Sequence, residues 1–151
     1  MPKITPFLWF DDRIEEAVNF YVSVFRNARI TSESPGPNGS VMSMTFELDG
    51  QDFMALNGGP QFKFTEAISF FVSCKDQAEV DYYWDKLTAD GGAESMCGWL
   101  KDKYGLSWQI IPEALGKSLG GSDRAGANRA MQAMLQMRKI VVADLEKAYA
   151  G

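Results

Sequence analysis

Hydrophobic and polar positions along the chain follow two alternating periods. Residues 4–10, Ile4-Thr5-Pro6-Phe7-Leu8-Trp9-Phe10, form an apolar and aromatic run that predicts a strand. From Asp12 the apolar residues Ile14, Ala17, Val18, Tyr21, Val24 and Phe25 recur at spacings of three and four. Asp12, Arg13, Glu15, Glu16 and Asn19 fall on the opposite side, which predicts an amphipathic helix. Asp11 or Asp12 is expected to cap it, and Glu15 lies three residues after Asp12, where a capping box would place it. Residues 28–34 follow, then a turn at Pro35-Gly36-Pro37-Asn38-Gly39 and a strand over 40–48. Asp49-Gly50 is a hairpin signal, and a return strand over 51–57 stops at Gly58-Gly59-Pro60.

The pattern then restarts. Residues 67–74 predict a strand and 76–88 a helix with Val80, Tyr83, Trp84 and Leu87 on one face, ended by Gly91-Gly92. Short strands are predicted over 93–97 and 99–101, a turn at Tyr104-Gly105, and a strand over 106–112. Sliding Pro6-Phe7-Leu8 onto Ser69-Phe70-Phe71 shifts the chain by 63 residues, and the same shift pairs Ala17 with Val80, Phe20 with Tyr83 and Tyr21 with Trp84. The closing hairpins, Gly50-Gln51-Asp52-Phe53 and Gly105-Leu106-Ser107-Trp108, match at a shift of 55, so the second copy has a shorter middle. One β-α-β-β-β unit is therefore written twice. The predicted fold is α+β, with two βαβββ modules (about residues 1–60 and 61–112) forming a curved mixed sheet around a cleft. Extra C-terminal helices over about 113–151 complete a single domain. In that extension Ala127, Met131, Met134, Leu135 and Arg138 share a helical face and residues 140–149 predict another short helix. The Gly- and Ser-containing stretch around Gly116-Lys117-Ser118 reads as a flexible connection.

Composition narrows the chemistry. The 151 residues carry 15 basic and 20 acidic side chains, a net charge of -5 without a basic run, which argues against a nucleic-acid partner. There is no histidine, so Ser-His-Asp and Cys-His nucleophile pairs and His-based metal sites are excluded. Hydrophobic residues at 46% and charged residues at 23% fit a globular chain rather than a disordered one. Apolar runs fall far short of the roughly 20 residues that cross a bilayer, and Met-Pro-Lys-Ile-Thr-Pro lacks the features of a secretory signal; a cytoplasmic location with no membrane partner is expected. Gly116-Lys117-Ser118 is not a phosphate-binding loop, because Ile111 stands where that motif needs glycine. No G-x-G-x-x-G joins a strand to a helix, so a dinucleotide fold and the usual methyl-donor loop have no support. Asn57-Gly58-Gly59-Pro60 either offers N–H groups to an anion or simply joins the two copies.

Among individual side chains, Glu15 and Glu16 read as solvated charges and Trp84 as core. Cys74 and Cys97 read as reduced packing residues, with a reactive thiol at Cys97 left open. Trp9, Trp99 and Trp108 lie on predicted strands, where alternation sends each to the cleft or to the outer layer. Gln109, between Trp108 and Ile110, faces opposite to Trp108 and serves either a structural hydrogen bond or a pocket contact. Lys101 and Asp102 read as solvated edge charges, with a ligand-binding role for Lys101 as the other reading.

The segments ITPFLWFDD (4–12), NFYVSVF (19–25), ALNGGPQFKFTEAISFFVSC (55–74) and CGWLKDKYGLSWQIIP (97–112), set on the doubled pattern, resemble the vicinal oxygen chelate superfamily of glyoxalases, extradiol dioxygenases and antibiotic-resistance proteins. More narrowly the chain looks like its PhnB-like branch, often labelled 3-demethylubiquinone-9 3-methyltransferase. The resemblance implies a glyoxalase-like domain and, in the enzymes, one divalent metal held by His, Glu or Gln. Those ligand positions fall on Gln109, on Met54, near Thr5 and around residues 67–69. Only Gln109 of these can coordinate, and a single neutral amide does not hold zinc, iron or manganese tightly, so a site with no metal and no cofactor is expected. The expected function is binding of a small aromatic or planar molecule in the cleft between modules, walled by Trp9, Asn57, Cys97, Trp99, Lys101, Trp108 and Gln109. Two alternatives stay open: an enzyme acting on a small aromatic or quinone substrate, including the labelled methyl transfer, and sequestration of a planar drug. The resemblance also implies a homodimer, with Met131 and Met134 near its interface.

Overall fold

The computed structural model describes residues 2–151, in two compact units that divide between Phe64 and Thr65. In the first, β1 (Phe7–Phe10) starts later than the apolar run predicts. Pro6 lacks the N–H a ladder needs and contributes only its carbonyl, which accepts from the Met54 N–H at 2.9 Å. Helix α1 (Ile14–Val24) buries Ile14, Ala17, Val18, Tyr21 and Val24, the face given by the periodicity. β2 (Arg29–Pro35), β3 (Val41–Leu48) and β4 (Gln51–Asn57) complete a sheet in the order β1-β4-β3-β2, with β1 parallel to β4 and the other pairs antiparallel. Asp49 and Gly50 turn the β3–β4 hairpin with φ of 48° and 82°, a pair of left-handed residues that suits Asp-Gly. Alternate positions Leu8, Phe10, Met44, Phe46, Phe53 and Ala55 are buried in the core, where α1 packs on β3 and β4.

The start of α1 departs from the sequence expectation. Neither Asp11 nor Asp12 caps it; the N-cap position is Arg13, which makes no side-chain cap bond. The Asn57 carboxamide, at the end of β4, accepts from the Ile14 N–H at 3.0 Å and donates to the Val41 carbonyl at 3.2 Å. A cap supplied from 43 residues away carries no local sequence signature.

The second unit repeats the plan: β5 (Ser69–Cys74), α2 (Gln77–Thr88), a 3-10 turn (Ala89–Gly91), β6 (Ala93–Glu94), β7 (Trp99–Lys101) and β8 (Ser107–Pro112), in the order β5-β8-β7-β6. Here the cap is local: Asp76 accepts from the Glu79 N–H at 3.0 Å. The shift of 63 is right for the helices, where Ala17 and Val80, and Tyr21 and Trp84, are all buried. It is wrong by one for the first strand. Leu8 pairs with Ala55 and Val72 with Ile110, and Ala55 lies 55 residues before Ile110, so Leu8 corresponds to Val72, 64 residues on. A shift of 63 would equate buried Leu8 with Phe71, which is 61% exposed on the opposite face.

The stretch around Gly116-Lys117-Ser118, expected to be a flexible connection, instead belongs to helix α3 (Glu113–Leu119). It is followed by α4 (Arg124–Met134) and α5 (Val142–Ala150). Ile111, Leu115, Ala130, Ile140 and Leu145 form a second core, with Leu119, Met134, Met137 and Tyr149 packed around it. Backbone bonds fasten this layer: Cys97 N–H to Met137 C=O at 2.7 Å and Gly98 N–H to Arg138 C=O at 2.8 Å. Gln77 of α2 grips the same stretch, donating to the Ile140 carbonyl at 3.0 Å and accepting from the Val142 N–H at 2.7 Å. Gly98 cannot be replaced without strain, since its φ is +84° and an added Cβ would stand 2.8 Å from Ile111 Cδ1. No helix among the described residues is long and apolar enough to cross a membrane.

Asn57→Ala should destabilise the fold by ~1–2 kcal/mol, because it removes the α1 cap and the Val41 bond together. Asp12→Ala should stay within about 0.5 kcal/mol of the parent. Urea denaturation of the two variants reads both, and equal losses would return the cap to Asp12.

Candidate functional site

On the face of the second sheet turned away from α2, the register sets Phe71, Gln109 and Trp99 side by side across β5, β8 and β7. Ser73 and Ile111 form the next row. These side chains floor a hollow of about 450 Å³ whose other walls are Pro112, Glu113, Leu115, Gly116 and Leu119 at α3, Met134 of α4, and Cys97. Most of the lining is aromatic or aliphatic. Gln109 is its polar centre: Nε2 donates to Ser69 Oγ at 2.9 Å, which leaves the amide oxygen as an acceptor.

Three of the residues singled out from the sequence, Cys97, Trp99 and Gln109, meet at this hollow. The others are placed elsewhere. Trp108 is 2% exposed on the opposite face of β8, edge-on to Phe70, with its indole N–H donating to Asp102 at 2.9 Å. Asp102 is a buried carboxylate, not a solvated edge charge. At 2% exposure it also accepts from the Tyr104 and Leu106 N–H groups and so holds the β7–β8 turn. Lys101 pairs with Glu66, and that hydrogen bond holds the Glu66 carboxyl below the usual range.

Trp9 and Asn57 belong to the first unit. Trp9 donates to the Gly59 carbonyl at 2.9 Å, lies edge-on to Phe62 and presses on Gly58, where a Cβ would come within 2.3 Å of the ring. The Gly58 and Gly59 N–H groups bond to Phe10 and Asp11 carbonyls, so this loop has none to offer an anion. Asn57 borders a second hollow of about 540 Å³ with Asp12, Glu15, Asn38 and Met42, but both ends of its amide are already committed to the backbone.

The helical wall is what sequence reasoning missed. Gly116 and Ser118 suggested a loop, yet stronger signals were present: Glu113 in the first turn, Lys117 in the last and Gly120 at the end, the charge order a helix dipole favours.

A divalent metal does not fit the donors available. The nominated positions supply the Met54 thioether, the neutral hydroxyls of Thr5 and Ser69 and an amide already bonded to Ser69, with no imidazole anywhere in the chain. Among the described residues no group of three or more Cys, Asp or Glu side chains is placed to hold an ion.

The family described as 3-demethylubiquinone-9 3-methyltransferase matches residues 2–111. Among solved structures, the PhnB protein of Bacillus cereus is 39% identical, with a TM-score of 0.68 over 74% of this chain and 99% of that one. Protein PA1353 of Pseudomonas aeruginosa is 18% identical, with a TM-score of 0.63 over 75% and 98% of the two chains. The fosfomycin resistance protein FosX of Listeria monocytogenes, at 19% identity and a TM-score of 0.57 over 78% and 96%, shares the fold. No curated protein matches the chain.

The two thiols should separate chemically. Cys74 is fully buried, and burial, followed by the nearby Glu79 and Asp76 charges, pushes its pKa up to about 12. Cys97 is half-buried at the hollow. Iodoacetamide at neutral pH should therefore add one label per native chain, lost in Cys97→Ser, and a second only in denaturant. Native labelling of Cys74, read by peptide mass spectrometry, would contradict this.

Proposed function

The chain belongs to the 3-demethylubiquinone-9 3-methyltransferase family, PhnB-like members of the vicinal oxygen chelate fold, and from that premise we propose that it binds a small aromatic or planar molecule, without a metal ion, in the hollow of its second unit. The observation that carries the reading is the floor itself: Phe71 and Trp99 flank the amide of Gln109 in an otherwise apolar recess closed by α3 and α4. Aromatic rings give a flat ligand broad contact at little entropic cost, and one acceptor fixes its orientation. This recess lies within the second unit and keeps Cys97, Trp99 and Gln109 of the walls expected from sequence. Trp108, buried against Asp102, and Lys101, paired with Glu66, have no part in it.

The family description names a methyl transfer. The strand-to-helix turn beside the hollow is Pro112–Glu113, which lacks the glycines that let a backbone approach a bound nucleoside cofactor, and Pro112 has no N–H to donate. The residues present thus do not fit a methyl donor of the usual kind, and no step of that reaction is assigned here.

Gly116 supplies the test. A Cβ built on it meets nothing within 4 Å, and the residue lines the hollow, so Gly116→Leu should fill the recess without a clash. The variant should gain ~0.5–1 kcal/mol from helix propensity. 2-Naphthol or 1,4-naphthoquinone should alter the tryptophan fluorescence of the parent, with or without a chelator, and bind at least about tenfold more weakly to Gly116→Leu. Equal binding to both proteins would place the ligand elsewhere and overturn the reading.

A further inference from the structure

The charges around the hollow point to a class of ligand. One formally charged side chain lines it, Glu113, and no Lys or Arg does. Glu113 is exposed at the first position of α3 and has no hydrogen-bond or ion-pair partner among the described residues. Lys117, one turn further along the helix, does not line the hollow, and Lys101 is paired with Glu66. The other polar groups at the site are neutral. Ser73, Cys97 and the Trp99 indole can serve a hydroxyl or a carbonyl but cannot neutralise an anion, and the Gln109 amide leaves an acceptor.

A carboxylate or phosphonate entering this recess would lose water without gaining a cation, and would approach Glu113 at the rim. A protonated amine meets the reverse. Its charge meets a carboxylate that has no other partner, in a hollow that Phe71 and Trp99 also line, and aromatic rings attract cations through their quadrupoles. The net charge of -5 adds a weak long-range bias of the same sign.

We infer that the hollow selects an aromatic molecule bearing a protonated amine, with the ring over the Phe71–Gln109–Trp99 floor and the ammonium at Glu113. This rests on the proposed ligand site and adds the charge of what enters it. Three naphthalene probes of one size separate the two ideas: 2-(aminomethyl)naphthalene, 2-(hydroxymethyl)naphthalene and 2-naphthoate, titrated at pH 7 in low salt by calorimetry against the parent and Glu113→Gln. The amine should bind about fivefold more tightly than the alcohol, the range an exposed carboxylate and a cation–π contact supply together, and the carboxylate should bind weakest. Glu113→Gln should cut the amine-to-alcohol affinity ratio at least about twofold, the share an exposed carboxylate supplies, and leave only the smaller preference due to the rings. If the alcohol matches the amine, or the carboxylate binds best, the charge selection is wrong while the aromatic site stands. An amine-to-alcohol ratio that Glu113→Gln leaves undiminished also overturns it, since the preference then owes nothing to that carboxylate. Failure of all three probes to bind the parent removes both the selection and the site.

Discussion

Strand β8 is buried along nearly its whole length, and a strand with both faces out of water needs cover on both sides. Its counterpart in the first unit, β4, shows the ordinary alternation of a strand with one deeply buried face. In the second unit α2 covers the face that carries Trp108 and Ile110. The opposite face is met at Ile111 by the core of the C-terminal helices. Because that layer is fastened at its edge by backbone bonds from Cys97 and Gly98, the two halves of the second unit act on each other through main chain as well as side chains. Removing the helices would expose Ile111 and strip partners from two N–H groups at once.

The cover is incomplete, and the incompleteness makes the hollow. α3 leaves β8 directly at Pro112 and walls the hollow with Glu113, Leu115, Gly116 and Leu119, while Phe71, Gln109 and Trp99 stay on its floor. A larger residue at position 116 would narrow the space; glycine there keeps it open at a cost in helix propensity. The backbone at Cys97, held at a φ of 60°, brings that thiol to the rim while its N–H is used to hold Met137.

The repeated modules were legible because their signals are local: a helical face such as Val80, Trp84 and Leu87, and an Asp-Gly hairpin. The resemblance carried the family on the same stretches. Most of what failed in the sequence reading depends on which strands and loops lie together. The α1 cap comes from Asn57, the partner of Asp102 is an indole six residues away on a neighbouring strand, and the strand shift of 64 differs from the helix shift of 63 by a residue that only sheet register reveals. The site was half visible for the same reason. Alternation along β8 predicted that Gln109 and Trp108 face apart, yet nothing in it said which side would be roofed, or that residues 113–119 would form the roof.

The amide of Gln77 ties α2 to Ile140 across 63 residues of chain. A loop of that length closes late, after the local hairpins and helices it spans have had time to form. During synthesis the sheet of the second unit is thus complete some thirty residues before its roof can dock, and the apolar strip around Ile111 stays bare until the Gln77 contact point emerges. A nascent chain paused in that interval would carry a finished floor and no chamber.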